Sequence, residues 1–246
     1  MTQRYFVETP IAGAHARLLA TEAHHLAHVM RAKPGDQVVL FDGRGGEYLA
    51  QVERIERSSV ELAVLAHQAL ERELAVPVVV GASLPKGDRQ RWLVEKLVEL
   101  GVSTFVPLAT ARAVAQPTAG ALDRLRRSVI EASKQCGRNR LMHIEEPREW
   151  RAFLGYPPPA ARRCVGHPGA KHQIAEFLRA APASSDEGFA VAVGPEGGLT
   201  DDEVQQATAS GWTAVGLGAR ILRVETAALV LATAAALAIV KPLVAE

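Results

Sequence analysis

The sequence predicts an α/β protein with a small β-barrel domain over residues 1–72 and a larger α/β domain over residues 73–246. Two observations predict this division. Short apolar runs separated by turns fill the first part, which is typical of a small antiparallel barrel. From Val76 onward, apolar runs alternate with helical stretches, and this alternation favours a mostly parallel sheet covered by helices.

The predicted elements of the first domain are one helix followed by three strands. The helix covers residues 21–31, where Thr21 is a candidate N-cap and Pro34-Gly35 prevents further helix. A glycine-rich turn at 42–46 separates the first two strands. The strands are predicted at Gln37–Phe41, Glu47–Ile55 and 60–66.

The second domain is predicted to contain five strands and at least three helices. Residues 226–240 form an uncharged run of 15 residues, shorter than the roughly 20 that a membrane span needs, so we expect a buried helix there. The strands are predicted at 76–82, 104–108, 163–166, Phe189–Val193 and 213–217, and two further helices at 89–100 and 122–136.

Composition is that of an ordinary cytoplasmic protein. Of 246 residues 48% are hydrophobic and 22% charged, with a formal net charge of +1. The total charge therefore does not favour binding to polyanions, and any basic surface must be local. Cys136 and Cys164 have no CxxC spacing, which predicts reduced thiols and a cytoplasmic location.

One segment is locally basic. Residues 86–140 hold 11 Lys/Arg and 5 Asp/Glu, whereas residues 1–72 hold 8 and 9. A basic face within a neutral total is compatible with a nucleic-acid surface. An ordinary solvated helix face explains the same charges, so charge alone leaves both interpretations open.

A first glycine-bearing turn follows the strand Phe189–Val193 and reads Gly194-Pro195-Glu196-Gly197-Gly198. Thr200 and Glu203 then form a capping-box pattern that predicts a helix start. Ligands of open α/β sheets bind at such strand ends. Carboxylates crowd this turn, and neither GxGxxG nor GxxxxGK[ST] occurs, which disfavours a phosphate-bearing cofactor and favours a cationic one.

A second turn follows residues 213–217. Gly218 permits close approach of the backbone to a flat ligand, and apolar Ile221 and Leu222 separate two cations, Arg220 and Arg223. Apolar residues between polar ones suit an adenine slot, and an arginine pair at its edge suits a polyanionic substrate.

Four stretches resemble the RsmE family of 16S ribosomal RNA uridine N3-methyltransferases, in the SPOUT superfamily. The two most specific are the 194–198 turn and residues 217–227, which read LGARILRVETA. The other two are the 24–36 segment, with His24-His25-Leu26, Arg31 and Gly35-Asp36, and the 86–101 segment, with Lys86-Gly87-Asp88, Glu95-Lys96 and Glu99-Leu100-Gly101. Val224 stands where threonine is frequent in relatives, and Ala219 where other small or polar residues occur.

The resemblance implies a fold and a set of partners. It implies a PUA-like N-terminal domain that helps to hold RNA, a SPOUT methyltransferase domain tied in a trefoil knot, and S-adenosyl-L-methionine bound at the knot. It also implies a homodimer that modifies a uridine in the decoding region of 16S RNA, in the assembled small subunit rather than in naked RNA. No metal is implied.

The resemblance also implies site residues. Cofactor-binding positions come from three loops and the following helix: His167, Pro168 and Gly169; Gly194, Pro195, Glu196, Gly197 and Gly198; Leu217, Gly218, Ile221 and Leu222; and Thr226. The candidate RNA contacts are Arg4, His24, His25, Arg31, Arg138 and Arg220.

Methylation of a uridine ring nitrogen requires alignment with the methyl donor, loss of a proton and stabilisation of charge on the carbonyl oxygens. We expect Arg223 to stabilise the uracil anion or to orient the base. Glu225 is the nearest candidate proton acceptor, although it could equally pair with an arginine.

Three alternatives remain at this stage. His24 and His28, at positions i and i+4, share a helical face and could suggest a metal site together with His25, but no third ligand is evident, so structural or RNA-contacting roles are favoured. A non-catalytic RNA-binding protein of the same domain build would bind RNA but not S-adenosylmethionine. A nucleotide- or dinucleotide-using enzyme would need a phosphate-binding motif that the sequence lacks.

Overall fold

The computed structural model describes residues 3–113, 117–157, 161–179 and 188–239. The chain divides into two compact units. The first comprises Met1–Glu73 and Ile130–Leu141, and the second comprises Leu74–Val129 and Met142–Glu246. The first unit thus includes a short segment from the middle of the chain in addition to the N-terminal residues.

The first unit is built on a five-stranded sheet with the order β1-β3-β4-β5-β2. Its pairs are antiparallel except β1 with β3, which is parallel, so the purely antiparallel arrangement expected from the strand spacing is corrected at one edge. Alternate strand residues, including Leu40, Val52 and Leu62, are buried in its core. The strands are β1 (Arg4–Phe6), β2 (His15–Leu19), β3 (Gln37–Phe41), β4 (Glu47–Ile55) and β5 (Ser59–Gln68).

The predicted helix of this unit is shorter and less regular than expected. Helix α1 covers Ala20–His24 and continues into a π-helical turn at His25–Val29. The prediction that Thr21 caps it is wrong, because Leu19 occupies the N-cap and no side chain caps the helix. Left-handed backbone at Ala20 (φ 46°) and Arg31 (φ 55°) brackets the segment.

Residues 130–141 are held in the first unit by polar contacts. Lys134 donates to Glu22 at 2.7 Å, and Asn139 accepts from Arg4 at 2.6 Å. Arg138 is buried and ion-paired with Glu73. These contacts join positions far apart in the sequence, which is why the strand pattern of residues 1–72 does not reveal them.

The second unit contains an eight-stranded sheet in which β11-β13-β10-β12-β6-β7-β8 are consecutive neighbours and β9 also pairs with β7. All of its strand pairs are parallel, as the alternation of strands and helices predicts. The strands are β6 (Val78–Ala82), β7 (Thr104–Ala109), β8 (His143–Ile144), β9 (Arg148–Glu149), β10 (Arg162–Gly166), β11 (His172–Gln173), β12 (Phe189–Val193) and β13 (Thr213–Gly216).

Helices accompany this sheet in the described part of the second unit. The central strands β6 and β12 are buried at every position, because helices cover both faces of a parallel sheet. Trp150 donates to the Glu203 carbonyl at 3.0 Å and Trp212 to the Leu154 carbonyl at 3.1 Å, so both buried indoles are satisfied. The helices are α2 (Arg89–Glu99), α3 (Ala119–Cys136), α4 (Trp150–Leu154), α5 (Ile174–Arg179), α6 (Asp201–Ala209) and α7 (Val224–Ile239).

Helix α7 contains the long uncharged run. It packs against β12, β6 and α2, so the predicted buried helix is present, although Val230 and Leu237 are exposed on its other side. The predicted end at Val240 lies outside the described residues. Among the residues that the structure describes, the helices include none long and apolar enough to cross a membrane.

Candidate functional site

Three loops meet at one edge of the parallel sheet. Residues 167–169 follow β10, residues 194–198 follow β12 and residues 217–222 follow β13. These strands are neighbours in the order β13-β10-β12 and run parallel. Their carboxyl ends therefore lie side by side, which is where open α/β sheets bind ligands.

The three loops line a single pocket that, with its open mouth, encloses about 650 Å3. Ten of the predicted cofactor residues line it: His167, Pro168, Gly194, Pro195, Glu196, Gly198, Leu217, Gly218, Ile221 and Leu222. Gly169, Gly197 and Thr226 do not. The Gly197 carbonyl instead accepts from Arg112 at 2.8 Å, and Thr226 is exposed on α7.

Sequence reasoning missed residues that complete the pocket walls. Each flanks a predicted loop, at a strand end or near the start of a helix. The apolar runs beside the turns are the sequence feature that could have predicted these lining positions. They are Gly166, Val193, Leu199, Val224 and Ala227.

Two glycines in the pocket wall adopt left-handed backbone, Gly198 at φ 72° and Gly218 at φ 104°. A Cβ at either position would meet no other atom within 4 Å. The requirement for glycine is therefore set by the backbone conformation, which other L-residues adopt only with strain. The walls around them are largely apolar, with Leu199, Leu217 and Leu222 among the lining residues.

The acidic start of helix α6 is partly neutralised. Glu203 is buried, completes the capping box with Thr200 and accepts from the Ala111 amide at 2.8 Å. Glu196 pairs with Arg89 at 3.1 Å. The repulsion of phosphate expected from the sequence is therefore weaker than a count of carboxylates suggests, and Asp201 and Asp202 account for the exposed remainder.

Arg89 connects two parts of the site, and sequence reasoning gave it no role. Besides Glu196 it contacts Glu225, with 3.3 Å between Arg89 Nη1 and Glu225 Oε1. Glu225 is only 5% exposed. The structure thus brings Glu225 into the ion pair that was one of its two predicted alternatives, and the hydrogen bond to Glu225 raises the pKa of Arg89.

Arg220 and Arg223 are both exposed at the second turn. Arg220 lines the pocket, and Arg223 directly follows the lining residue Leu222. Within the described part of the chain, neither guanidinium has a carboxylate at ion-pair distance. Two cations without counterions beside an apolar pocket suit an anionic substrate.

The predicted RNA contacts of the first unit fall into two groups. Arg138 is 4% exposed and Arg4 is hydrogen-bonded to Glu47 and Asn139, so both hold the unit together and their placement argues against RNA contact. His24 and Arg31 are exposed, whereas His25 is half-buried.

The basic helix α3 is also partly neutralised. Arg126 pairs with Asp123 and Glu146, and Lys134 pairs with Glu22 and Glu131. The charge excess predicted for this segment is therefore smaller at the surface than in the sequence. Among the basic side chains of α3, Arg124 and Arg127 are exposed.

Comparison with known proteins identifies the family. The profile described as "RNA methyltransferase domain" matches residues 72–236, and that described as "RNA methyltransferase PUA domain" matches residues 19–65. The ribosomal RNA small subunit methyltransferase E of Bacillus subtilis is 30% identical over 240 residues, covering 92% of this chain and 93% of that protein. This chain belongs to the ribosomal RNA small subunit methyltransferase E family.

Other relatives agree with this assignment. The family member of Mycobacterium bovis is 33% identical, covering 92% of this chain and 88% of its own length. The crystal structure of the Neisseria gonorrhoeae family member, bound to S-adenosyl methionine, superposes with a TM-score of 0.85 at 28% identity, covering 95% of this chain and 96% of that one. The predicted RNA methyltransferase family, with its PUA and SPOUT α/β architecture, is confirmed.

Proposed function

We propose that this methyltransferase transfers a methyl group from S-adenosyl-L-methionine to N3 of a uridine in the decoding region of 16S ribosomal RNA. The observation that carries the proposal is the pocket at the ends of β10, β12 and β13, with Arg220 and Arg223 exposed beside it. It combines an apolar cavity for a nucleoside with cations for RNA.

The pocket residues fit S-adenosyl-L-methionine, which supplies an electrophilic methyl group when bound. The apolar walls suit the adenine ring, and the left-handed glycines leave room beside the backbone. Glu196 lines the pocket; because it shares the single cation Arg89 with Glu225, one net negative charge remains there, and this favours a cationic ligand. We keep Gly169, Gly197 and Thr226 as supporting rather than lining positions.

Arg223 is the residue we assign to the chemistry. When uridine N3 loses its proton to solvent water, negative charge spreads onto the neighbouring carbonyl oxygens, and a nearby guanidinium stabilises that charge. Arg223 is exposed and free of carboxylate partners among the described residues. Glu225 we assign to the ion pair with Arg89, since its carboxylate is already occupied.

The RNA-holding role belongs in this proposal to the first unit, through exposed side chains such as His24 and Arg31. We retain residues 1–72 as the PUA-like domain and 73–246 as the methyltransferase domain, with 130–141 packed into the first unit. A homodimer in the cytoplasm, acting on the assembled small subunit, completes the proposal.

A trefoil knot is also part of the proposal. Strand β13 lies beyond β10 in the sheet, whereas the following helix α7 packs against β12 and β6. The chain must therefore cross back over β10 after β13, and this return path supports threading of the chain through a loop.

The decisive experiment combines the purified protein with S-adenosyl-L-methionine and either 16S RNA or small subunits lacking the modification, followed by mass-spectrometric mapping of the methylated base. We expect 3-methyluridine in the subunit sample. RNA binding without methyl transfer or saturable S-adenosylhomocysteine binding would instead identify a non-catalytic RNA-binding protein.

A further inference from the structure

The ion-pair cluster of Arg89, Glu196 and Glu225 joins two walls of the pocket. Glu196 belongs to the loop after β12, and Glu225 lies in the first turn of α7, next to the lining residue Val224. Arg89 reaches both, at 3.1 Å from Glu196 and 3.3 Å from Glu225.

Arg89 stands where an arginine is unfavourable for its own helix. It is the first residue of α2, no acidic residue occurs in that first turn, and the N-cap Asp88 makes no side-chain capping hydrogen bond. The positive end of the helix dipole disfavours a cation there. The carboxylates of Glu196 and Glu225 offset this cost. Both belong to the pocket walls rather than to α2, so these ion pairs stabilise the arrangement of the pocket walls and not helix α2 itself.

Burial makes the cluster unequal. The Glu225 side chain is 7% exposed, whereas those of Arg89 and Glu196 are 36% and 42% exposed. The nearly buried contact with Glu225 therefore fixes the position of Arg89. The solvated contact with Glu196 holds the 194–198 loop. An arginine fork suits such bridging, because its several donors are held in one rigid plane.

We propose that Arg89 is a positioning residue that holds the 194–198 loop against the start of α7 and so sets the shape of the cofactor pocket. The inference rests on the proposed function, since it assigns the pocket to S-adenosyl-L-methionine. Arg89 does not touch the reacting atoms; it acts through Glu196 and Glu225.

The test measures S-adenosylhomocysteine affinity by calorimetry, melting temperature, and the kinetics of methyl transfer in full-length variants. In R89M we expect the dissociation constant and the KM for S-adenosyl-L-methionine to rise by about tenfold or more, because losing one partner of a buried pair is costly. The KM for RNA should be unchanged. R89K, which keeps the charge, should recover part of the affinity.

The double variant R89M/E225Q separates positioning from simple charge compensation. It removes the unpaired buried carboxylate, so the melting temperature should recover while cofactor affinity stays low. If affinity recovers together with stability, or if R89M binds normally, the proposal is wrong.

Arg91 provides the matched control. It is an exposed arginine of the same helix, paired with Glu95, so R91M should leave cofactor affinity unchanged, and an equal loss in R91M would overturn the inference. Failure of the wild-type protein to bind S-adenosylhomocysteine would instead refute the proposed function.

Discussion

Glu73 and Arg138 form an ion pair in which the arginine is only 4% exposed. The Arg138 Nε donates to Glu73 Oε1 at 2.9 Å. The pair therefore joins the end of the N-terminal segment to a turn that follows helix α3.

Replacing Arg138 by methionine should destabilise the protein by about 3 kcal/mol, because the partly buried Glu73 carboxylate, 16% exposed, then loses its counterion. Arg140 is the control, since it pairs with Glu71 while about half exposed (52% and 47%), and R140M should cost under ~1 kcal/mol. Urea unfolding followed by circular dichroism measures both. Equal effects would show that Arg138 is not a structural residue.

Arg223→Ala should lower the rate of methyl transfer by roughly 100- to 1000-fold, the usual loss when a group that stabilises developing charge is removed. Binding of S-adenosylhomocysteine should stay near the wild-type value, because Arg223 does not line the pocket. Arg151→Ala, an exposed arginine on α4, serves as the control. Normal transfer by R223A would remove Arg223 from the mechanism.

Gly218→Ala should cost about 1–2 kcal/mol, since its φ of 104° lies in the left-handed region, and it should weaken cofactor binding. The control is Gly120→Ala on α3, where a Cβ also meets no atom within 4 Å but φ is not left-handed. That change should be neutral or slightly stabilising. Thermal melting measures the change in stability, and calorimetry measures cofactor binding. A G218A variant with unchanged stability and binding would contradict the expected backbone strain at Gly218.

Acid stability should depend on Glu47. Burial acts to raise the pKa of Glu47, but hydrogen bonds and charges from Arg4 and Arg72 outweigh it and lower the pKa from the usual 4.5. A lowered folded-state pKa gives stability that is present above pH 4.5 and is lost as the pH falls through the lower, folded value. Unfolding free energies between pH 7 and 3 should fall less steeply in E47Q. If the unfolding free energy of E47Q falls with pH as steeply as that of the wild type, Glu47 does not contribute to acid stability.

Cys164 should resist alkylation in the folded protein. Burial raises the pKa of its thiol to about 12, and the thiolate is the reactive form. In a C136S variant, iodoacetamide at pH 8 should add mass only after denaturant is added. Rapid labelling of the native variant would show that Cys164 is reachable.

Local signals in the sequence predicted their elements well. The strands at Gln37–Phe41, Glu47–Ile55 and Phe189–Val193 have the predicted bounds, and the capping box of Thr200 and Glu203 is present. In each case the deciding interactions join residues a few positions apart, or follow from the alternation of the strand itself.

Features that depend on distant partners were not predictable. Arg89 pairs with Glu225 and Glu196, which lie 136 and 107 positions away, and Arg138 pairs with Glu73 across 65. No local pattern distinguishes these arginines from solvated ones. Thr21 failed as a cap because the helix begins at Ala20, so that the N-cap position falls on Leu19, two residues before Thr21.

The residues that line the pocket all lie between Gly166 and Ala227, in one continuous stretch of the chain. A site encoded this way can be inherited or transplanted as a block. Recombination that replaces residues 1–72 leaves every lining residue in place. Residues 130–141 belong to the first unit, so an exchange of N-terminal segments that keeps this unit intact must carry residues 130–141 as well.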